Sequence, residues 1–277
     1  KIMKKQKICI IGGSLTGLVT AISLSKLNCE IDLVIDNIDK SPKFNRTIAI
    51  SENNFNFLNK LNISKSLKTH TWPCSIIKLY TMAKNQKFLE VFELNRKSEK
   101  KKVFYMLESS KITKLMINKI SKIKSISIKR DEKISFISNF ESLKSIKFKK
   151  NISKYNLVIA CVGSNSKLVK NILHNRVIES SYKETAITAI LNHSSLKNNT
   201  ARQFFLDNEI LALLPISNTK TSLVWSVKKD IYKKNDLLLK KRIQFYVKNY
   251  VKNISFASKI EHRDLNFLIR NKYFLDR

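Results

Sequence analysis

The chain has 277 residues, of which 43% are hydrophobic, and its formal net charge at pH 7 is +32. This length and apolar content can bury a sizeable core, so a disordered chain is excluded. The positive charge comes mostly from lysines spread along the whole sequence, which is typical of a solvated surface rather than of a nucleic-acid groove. The four cysteines are widely separated and form no CxxC pair, so no disulfide framework and no metal site are predicted. The expected compartment is the reducing cytoplasm.

The N-terminal segment predicts a strand, a glycine turn, a helix and a second strand. Residues 7–11 form a short β-branched run, typical of a strand buried on both faces. Residues 15–27 carry apolar side chains at helical spacing, and residues 31–35 are a second strand closed by Asp36. Residues 8–25 carry no charge and imitate a signal peptide or a membrane span, but the glycines favour the βαβ interpretation.

The rest of the chain alternates between helical and strand patterns. Ser51 can cap a helix that runs to about residue 61, and a second helix is predicted after Ser109 or Ser110. The apolar and aromatic runs in residues 72–94 predict strands that lie outside the first domain. Three alternating runs around residues 125–129, 133–137 and 145–149 predict a β-meander, and residues 155–161 predict a return to the parallel sheet. Strand patterns then cover residues 185–227, and an amphipathic helix is predicted over about 237–251.

The turn after the first strand reads Gly12-Gly13-Ser14-Leu15-Thr16-Gly17. A dinucleotide fingerprint has glycine at the first, third and sixth positions, for the tight turn, the close approach of the pyrophosphate and helix-to-strand packing. Ser14 stands at the middle position, where its hydroxyl could donate to a phosphate oxygen. Asp36 follows about 20 residues later, where an acid can accept hydrogen bonds from ribose hydroxyls. The alternative is a βαβ unit whose glycines only shape a turn.

Four later stretches carry further motifs. They are Phe44-Asn45-Arg46-Thr47-Ile48-Ala49-Ile50-Ser51, Tyr105-Met106-Leu107-Glu108, Cys161-Val162-Gly163-Ser164-Asn165-Ser166, and a series from Thr185 through Leu211-Ala212-Leu213-Leu214-Pro215 to Leu223-Val224-Trp225-Ser226. In this order, and together with residues 8–36, they resemble the FAD-dependent aromatic hydroxylases of the p-hydroxybenzoate hydroxylase type. The last series resembles the ubiquinone-biosynthesis branch of that family.

The resemblance implies an FAD site made of Gly12, Gly13, Ser14, Gly17, Asp36, Arg46, Glu108 and Gly163. Arg46 would lie along the flavin, and its alternative role is a surface salt bridge. Glu108 would lie near the cofactor, and its alternative role is a charge at a helix N-terminus. No catalytic side chain is predicted, because the flavin carries the oxidising power in such enzymes.

The sequence also departs from the family pattern. Val162 replaces the aspartate of the Asp-Gly element, Phe44 replaces another aspartate, and Glu209-Ile210 stands where the family has Gly-Pro. The family's Gly-Asp-Ala-Ala-His element is expected after Leu275, where this sequence ends. We therefore expect the C-terminal part of the family fold to be missing, in a truncated chain or in a degenerate relative.

The predicted fold is α/β, with a Rossmann-like FAD-binding domain around a parallel sheet and an interleaved β-rich substrate domain. The first domain is assigned residues 1–66 and 104–175, and the second 67–103 and 176–277. The resemblance implies hydroxylation of a prenylated phenol in ubiquinone biosynthesis with FAD, NAD(P)H and O2, in the cytoplasm or peripherally at the inner membrane face. The alternatives are a flavoprotein fold without catalysis and a basic nucleic-acid-binding protein; the even spread of lysine disfavours the latter.

Overall fold

The computed structural model describes residues 5–35, 47–63, 67–85, 87–96, 101–130, 132, 134–149, 151–163, 168, 177–229, 236–271 and 273–274. The helices in this part of the chain are α1 (Leu15–Leu24), α2 (Glu52–Lys60), α3 (Ser109–Ile120), α4 (Asp236–Val247) and a short 3-10 helix (Lys68–His70). The strands are β1 (Gln6–Ile11), β2 (Cys29–Ile35), β3 (Thr47–Ser51), β4 (Thr71–Cys74), β5 (Ile76–Met82), β6 (Phe88–Asn95), β7 (Phe104–Glu108), β8 (Ile126–Arg130), β9 (Ile134–Phe140), β10 (Leu143–Phe148), β11 (Ile152–Tyr155), β12 (Leu157–Ala160), β13 (Val177–Asn192), β14 (Thr200–Leu206), β15 (Glu209–Ser217), β16 (Lys220–Lys228), β17 (Ser255–Phe256) and β18 (Glu261–Arg270).

A parallel sheet in the order β12-β1-β2-β8 forms the first layer. Its two central strands, β1 and β2, are mostly buried on both faces, because each face is covered. Ile8 and Ile10 pack against α1 and α3, whereas Cys9 and Ile11 pack on the opposite side against β10 and β11. The βαβ opening and the return to the parallel sheet at β12 are both confirmed.

One strand assignment was wrong. The run around residues 125–129 was predicted as the first strand of a meander, but the strand there, β8, pairs in parallel with β2 at the edge of the first sheet. The meander instead consists of β9, β10 and β11. The physical reason is that β8 follows helix α3, and a strand that follows a crossover helix returns to the sheet in parallel.

The second layer is an eight-stranded sheet in the order β17-β13-β16-β15-β14-β5-β6, with β18 paired to β13. Leu239, Ile243 and Val247 of α4 pack on one face of this sheet around the fully buried Trp225. The predicted α/β fold with a parallel sheet and a β-rich part is therefore confirmed. The residue boundaries assigned to the two domains stay a prediction.

A small sheet in the order β3-β7-β4 lies between these layers. The Thr47 hydroxyl at the start of β3 donates to Ser222 Oγ on β16 at 2.9 Å, so this small sheet touches the large one directly. Within the described residues, no helix combines the length and the apolarity needed to cross a membrane.

Candidate functional site

The glycine turn lies where β1 ends beside the carboxyl end of β12. The amide of Gly12 donates to the carbonyl of Val34 at 2.8 Å and holds the turn against β2. Gly12 has φ +118°, and a Cβ there would lie 2.4 Å from the carbonyl oxygen of Cys161. No side chain fits at this position, so glycine is required both by conformation and by space.

Gly17 closes the turn against helix α1. A Cβ on Gly17 would lie 2.0 Å from the carbonyl oxygen of Gly12, far inside van der Waals contact. A Cβ on Gly13 would meet Cγ2 of Ile35 at 2.9 Å. The first turn of α1 can therefore sit on the strand ends only because these residues lack side chains, which is the packing role that the fingerprint predicts.

Ser14 is the N-cap of α1, with φ −67° and ψ 164°. Its hydroxyl donates to the carbonyl of Cys161 at 3.0 Å and accepts from the amide of Gly17 at 3.5 Å. The sequence had suggested donation to a phosphate oxygen, whereas here the proton is directed to the end of β12. The Ser14 hydroxyl therefore connects helix α1 to the end of the edge strand β12.

The amides of Leu15 and Thr16 stay available at the tip of α1. Among the described residues no acceptor takes a hydrogen bond from either amide, as is usual for the first turn of a helix. No acidic residue lies in this turn, so the positive end of the helix dipole is not neutralised there. Free amides and a positive dipole end together form an anion site.

The segment after β12 completes the site. Gly163 has φ +77°, and a Cβ at this position would meet nothing within 4 Å, so the surface beside it is open. Val162 packs against the apolar cluster of Cys9, Ile11 and Phe148 and offers no carboxylate to a ligand. Burial raises the pKa of the Cys161 thiol, which keeps it protonated.

The remaining predicted site residues are not all placed together. Glu108 ends β7 and is the N-cap residue of α3, where its carboxylate accepts from Lys111 at 2.9 Å. This matches its alternative role as a helix N-terminal charge, and its proximity to a cofactor stays a prediction. Asp36 and Arg46 lie outside the described residues.

A buried polar cluster below the sheet was missed by the sequence reasoning. The Tyr155 hydroxyl donates to Asp32 at 2.7 Å, and the ammonium groups of Lys129 and Lys7 lie 3.1 and 3.4 Å from the same carboxylate. Burial by itself raises the pKa of Asp32, but the Tyr155 hydrogen bond and the lysines outweigh it, so its pKa lies below the ordinary value. This cluster fixes the meander to the parallel sheet and thereby supports β1 and β12 beneath the turn.

The turn fits the diphosphate of a dinucleotide such as FAD. A Cβ on Gly12 would collide with Cys161 and one on Gly17 with Gly12, and the Ser14 hydroxyl is bonded to Cys161. No acceptor among the described residues takes the first two amides of α1. The outer glycines and the open helix N-terminus are features of a dinucleotide site, and Ser14 replaces the middle glycine of the fingerprint.

A comparison with protein families agrees with this geometry. The family model described as "FAD binding domain" matches residues 5–263, which is nearly the whole chain. The chain belongs to the FAD-binding domain family. The match extends across both the parallel sheet and the eight-stranded sheet, so the β-rich part is included in the family fold.

The curated relatives of this family member include the ubiquinone biosynthesis monooxygenase COQ6 of Caenorhabditis elegans, a mitochondrial protein. It is 25% identical over 235 residues, which cover 78% of this chain and 51% of that protein. The corresponding protein of Danio rerio is 38% identical over 71 residues, covering 25% of this chain and 14% of that protein. The chain therefore spans about half the length, or less, of these curated relatives.

Solved structures show the same fold at low identity. The flavin-dependent monooxygenase PieE in complex with FAD and substrate superposes with a TM-score of 0.76 at 12% identity, covering 99% of this chain and 52% of that one. The p-nitrophenol 4-monooxygenase PnpA of Pseudomonas putida DLL-E4 gives a TM-score of 0.72 at 12% identity, covering 96% and 69%. At this identity the likeness establishes the fold of the FAD-binding domain family and nothing further.

Proposed function

We propose that this chain is the FAD-binding and substrate-binding part of a monooxygenase that hydroxylates a prenylated phenol in ubiquinone biosynthesis, with NAD(P)H as reductant and O2 as oxidant. The observation that carries the proposal is the glycine turn, whose free amides and close packing suit a diphosphate. The two COQ6 relatives support the assignment to ubiquinone biosynthesis.

The residues proposed to hold the cofactor are those at the carboxyl ends of β1 and β12. The amides of Leu15 and Thr16 would bind the diphosphate, and Gly163 would leave room beside it. Asp36, Arg46 and Glu108 remain proposed contacts to the rest of the cofactor. Bound FAD would supply the redox chemistry, namely acceptance of a hydride and transfer of oxygen to an electron-rich ring.

The proposed substrate surface is the face of the large sheet that α4 does not cover. Side chains alternate along β15 and β16, so Ile210, Ala212, Val224 and Ser222 share this face, while Trp225 points towards α4. Ser222 on this face receives the hydrogen bond from Thr47, so the small sheet abuts it.

Three exposed apolar side chains lie on this face. Ile210 is 41% exposed and pairs with Phe205, which is 38% exposed, and Phe92 further along the same face is 50% exposed. An apolar ring and a prenyl tail suit such a surface, because burying apolar area is favourable in itself. The protein's contribution would then be to bind the ring and exclude water, with no acid or base required of a side chain.

The test is turnover by the purified chain reconstituted with FAD. We expect NADH or NADPH oxidation that needs O2, is stimulated by a prenylated phenol and yields a product heavier by one oxygen atom. A phenol without the prenyl tail is the matched control and should stimulate less. Oxidation that no phenol stimulates contradicts the proposal.

A second candidate is a flavin-binding protein without catalysis. Val162, which turns into the apolar cluster where the family has an aspartate, favours this alternative. It predicts that the chain binds FAD but that NAD(P)H leaves the bound flavin oxidised under anaerobic conditions, whereas the monooxygenase proposal predicts bleaching of the flavin absorbance.

A further inference from the structure

Helix α4 has apolar side chains on two opposite faces. Leu239, Ile243 and Val247 are fully buried against the large sheet. On the other side Leu237 is 65% exposed and Phe245 is 49% exposed. A helix that packs on one sheet needs only one apolar face, so the outer apolar residues have no role in that packing.

The outer apolar residues alternate with lysines. Leu237, Lys241 and Phe245 follow one another at spacings of four residues and therefore lie on one side of α4. Lys248 follows the last residue of α4, and its amide donates to the carbonyl of Gln244 at 3.1 Å, so it continues the helical turn on the same side. Lys241 and Lys248 are both exposed, and the Lys248 ammonium lies 4.9 Å from the centre of the Phe245 ring. We call these four residues the outer stripe.

The charge around the outer stripe is positive. The acid at the start of α4, Asp236, lies 3.5 Å from the imidazole of His262 and so faces β18. An open cavity of about 380 Å³ adjoins the carboxyl end of the stripe and includes two lysines in its wall; it is lined by Gln244, Lys248, Val251, Lys252, Asn253 and Ile254. Among the residues that the structure describes, this wall holds two lysines and no carboxylate, so the cavity suits a phosphate group.

We propose that the outer stripe docks on the surface of an anionic phospholipid bilayer, with the lipid phosphates near Lys241, Lys248 and Lys252. Leucine and phenylalanine inserted at the headgroup boundary, flanked by lysines above them, are the pattern of an interfacial helix. The chain's net charge of +32 adds attraction to an anionic surface. The alternative occupant of the outer stripe is a protein partner with an acidic groove, and the experiments below distinguish it from a bilayer.

This inference goes beyond the proposed function and does not depend on it. Helix α4 lies on the face of the sheet opposite to Ile210 and Val224, so docking leaves the proposed substrate surface uncovered. Vesicle binding requires neither FAD nor substrate. Its failure would leave the flavin assignment intact, and a chain that binds no flavin could still bind vesicles.

The test is co-sedimentation with vesicles of phosphatidylcholine alone or mixed with phosphatidylglycerol, at 0.15 M salt. Wild-type protein should bind the anionic vesicles and not the neutral ones. Because each lysine near such a surface contributes roughly 1 kcal/mol, K241E/K248E should weaken binding at least about tenfold. The control K114E/K122E changes the net charge equally through two exposed lysines in and after α3 and should bind nearly as wild type does. If both double variants lose vesicle binding equally, net charge alone explains the binding and the proposal is overturned.

Insertion of the two apolar residues of the outer stripe into the bilayer is tested by tryptophan fluorescence. With F245W, anionic vesicles should shift the indole emission to shorter wavelength, whereas L27W, at a site 62% exposed after α1, should show no shift. L237S/F245S should lose the binding that persists at high salt. Matching thermal unfolding confirms that the variants fold, and F245W tests the proposal even if another variant does not. The absence of a shift in F245W overturns insertion and leaves an acidic protein partner as the occupant.

Discussion

Substitution of Gly17 by alanine tests the packing of the glycine turn. The added Cβ would start 2.0 Å from the carbonyl oxygen of Gly12, and ordinary contact begins near 3.4 Å, so the helix must move by about 1.4 Å. The position of a Cβ is fixed by its own backbone and the oxygen is a backbone atom, so neither can rotate away, and overpacking of this kind costs roughly 1–3 kcal/mol. Alanine gains about 1 kcal/mol of helix propensity over glycine. With the overpacking cost at its upper end, we expect a net loss of about 2 kcal/mol.

The control is Gly163→Ala. Unlike Gly17, Gly163 has a positive φ, +77°, but a Cβ there meets nothing within 4 Å, so only the backbone strain of roughly 1–2 kcal/mol applies. Part of that strain is offset by about 0.4–1 kcal/mol, because alanine restricts the unfolded chain more than glycine does. The loss of stability should therefore be smaller than in Gly17→Ala.

Urea unfolding measures both stabilities, and titration with FAD measures both affinities. Gly17→Ala displaces the amides at the helix tip, so its FAD affinity should fall about tenfold or more, which corresponds to 1.4 kcal/mol. The reasoning is refuted if Gly17→Ala is as stable as Gly163→Ala and binds FAD as tightly as wild type does.

Three further substitutions address the cap and the buried acids. Ser14→Gly removes the cap, which costs only a few tenths of a kcal/mol for glycine, and the hydrogen bond to Cys161, which contributes about 0.5–1 kcal/mol. Urea unfolding should therefore show a loss of about 1 kcal/mol while FAD titration shows no weaker binding; a tenfold weaker affinity would contradict the role given to the hydroxyl. Asp32→Asn should lower stability by about 1–3 kcal/mol at pH 7. Because the Asp32 pKa is depressed, the stability difference between wild type and Asp32→Asn should shrink as the pH falls below 3.8, the ordinary pKa of an aspartate. A difference that grows with acidification would contradict the stabilising role of the ionised carboxylate. Burial raises the pKa of Glu209 despite Arg242 and Trp225, so wild type should gain stability relative to Glu209→Gln as the pH falls from neutral towards 4.5; a relative loss would contradict this.

The parts of the fold that were predictable are those with local patterns. The apolar run before Gly12, the helical spacing after it and Ser51 as a helix cap were read directly, and the structure has β1, α1 and α2 at these places. Strand β18 was not predicted, because residues 261–264 are Glu-His-Arg-Asp and lack the apolar alternation of a half-buried strand. Its pairing with β13 is a tertiary contact that a local pattern does not reveal.

The candidate site was predictable only in part, for the same reason. The glycines are recognisable in the sequence by their residue type and spacing. The partner of the Ser14 hydroxyl is not, because it is a carbonyl 147 residues away along the chain. Asp32 and Tyr155 are likewise separated by 123 residues, and neither stands in a recognisable motif. A buried acid in the middle of an apolar strand was the one available signal, because such a group needs partners.

Binding of FAD to the purified chain is the measurement that addresses the glycine turn most directly. Titration of FAD with wild-type protein should quench the flavin fluorescence to a saturating value at one FAD per chain, and Gly12→Asp, which places a carboxylate and a colliding Cβ in the turn, should abolish the quenching while Leu27→Asp leaves it unchanged. If wild-type protein leaves the FAD fluorescence unaltered, or if Gly12→Asp binds FAD as wild type does, the nucleotide does not bind at this turn.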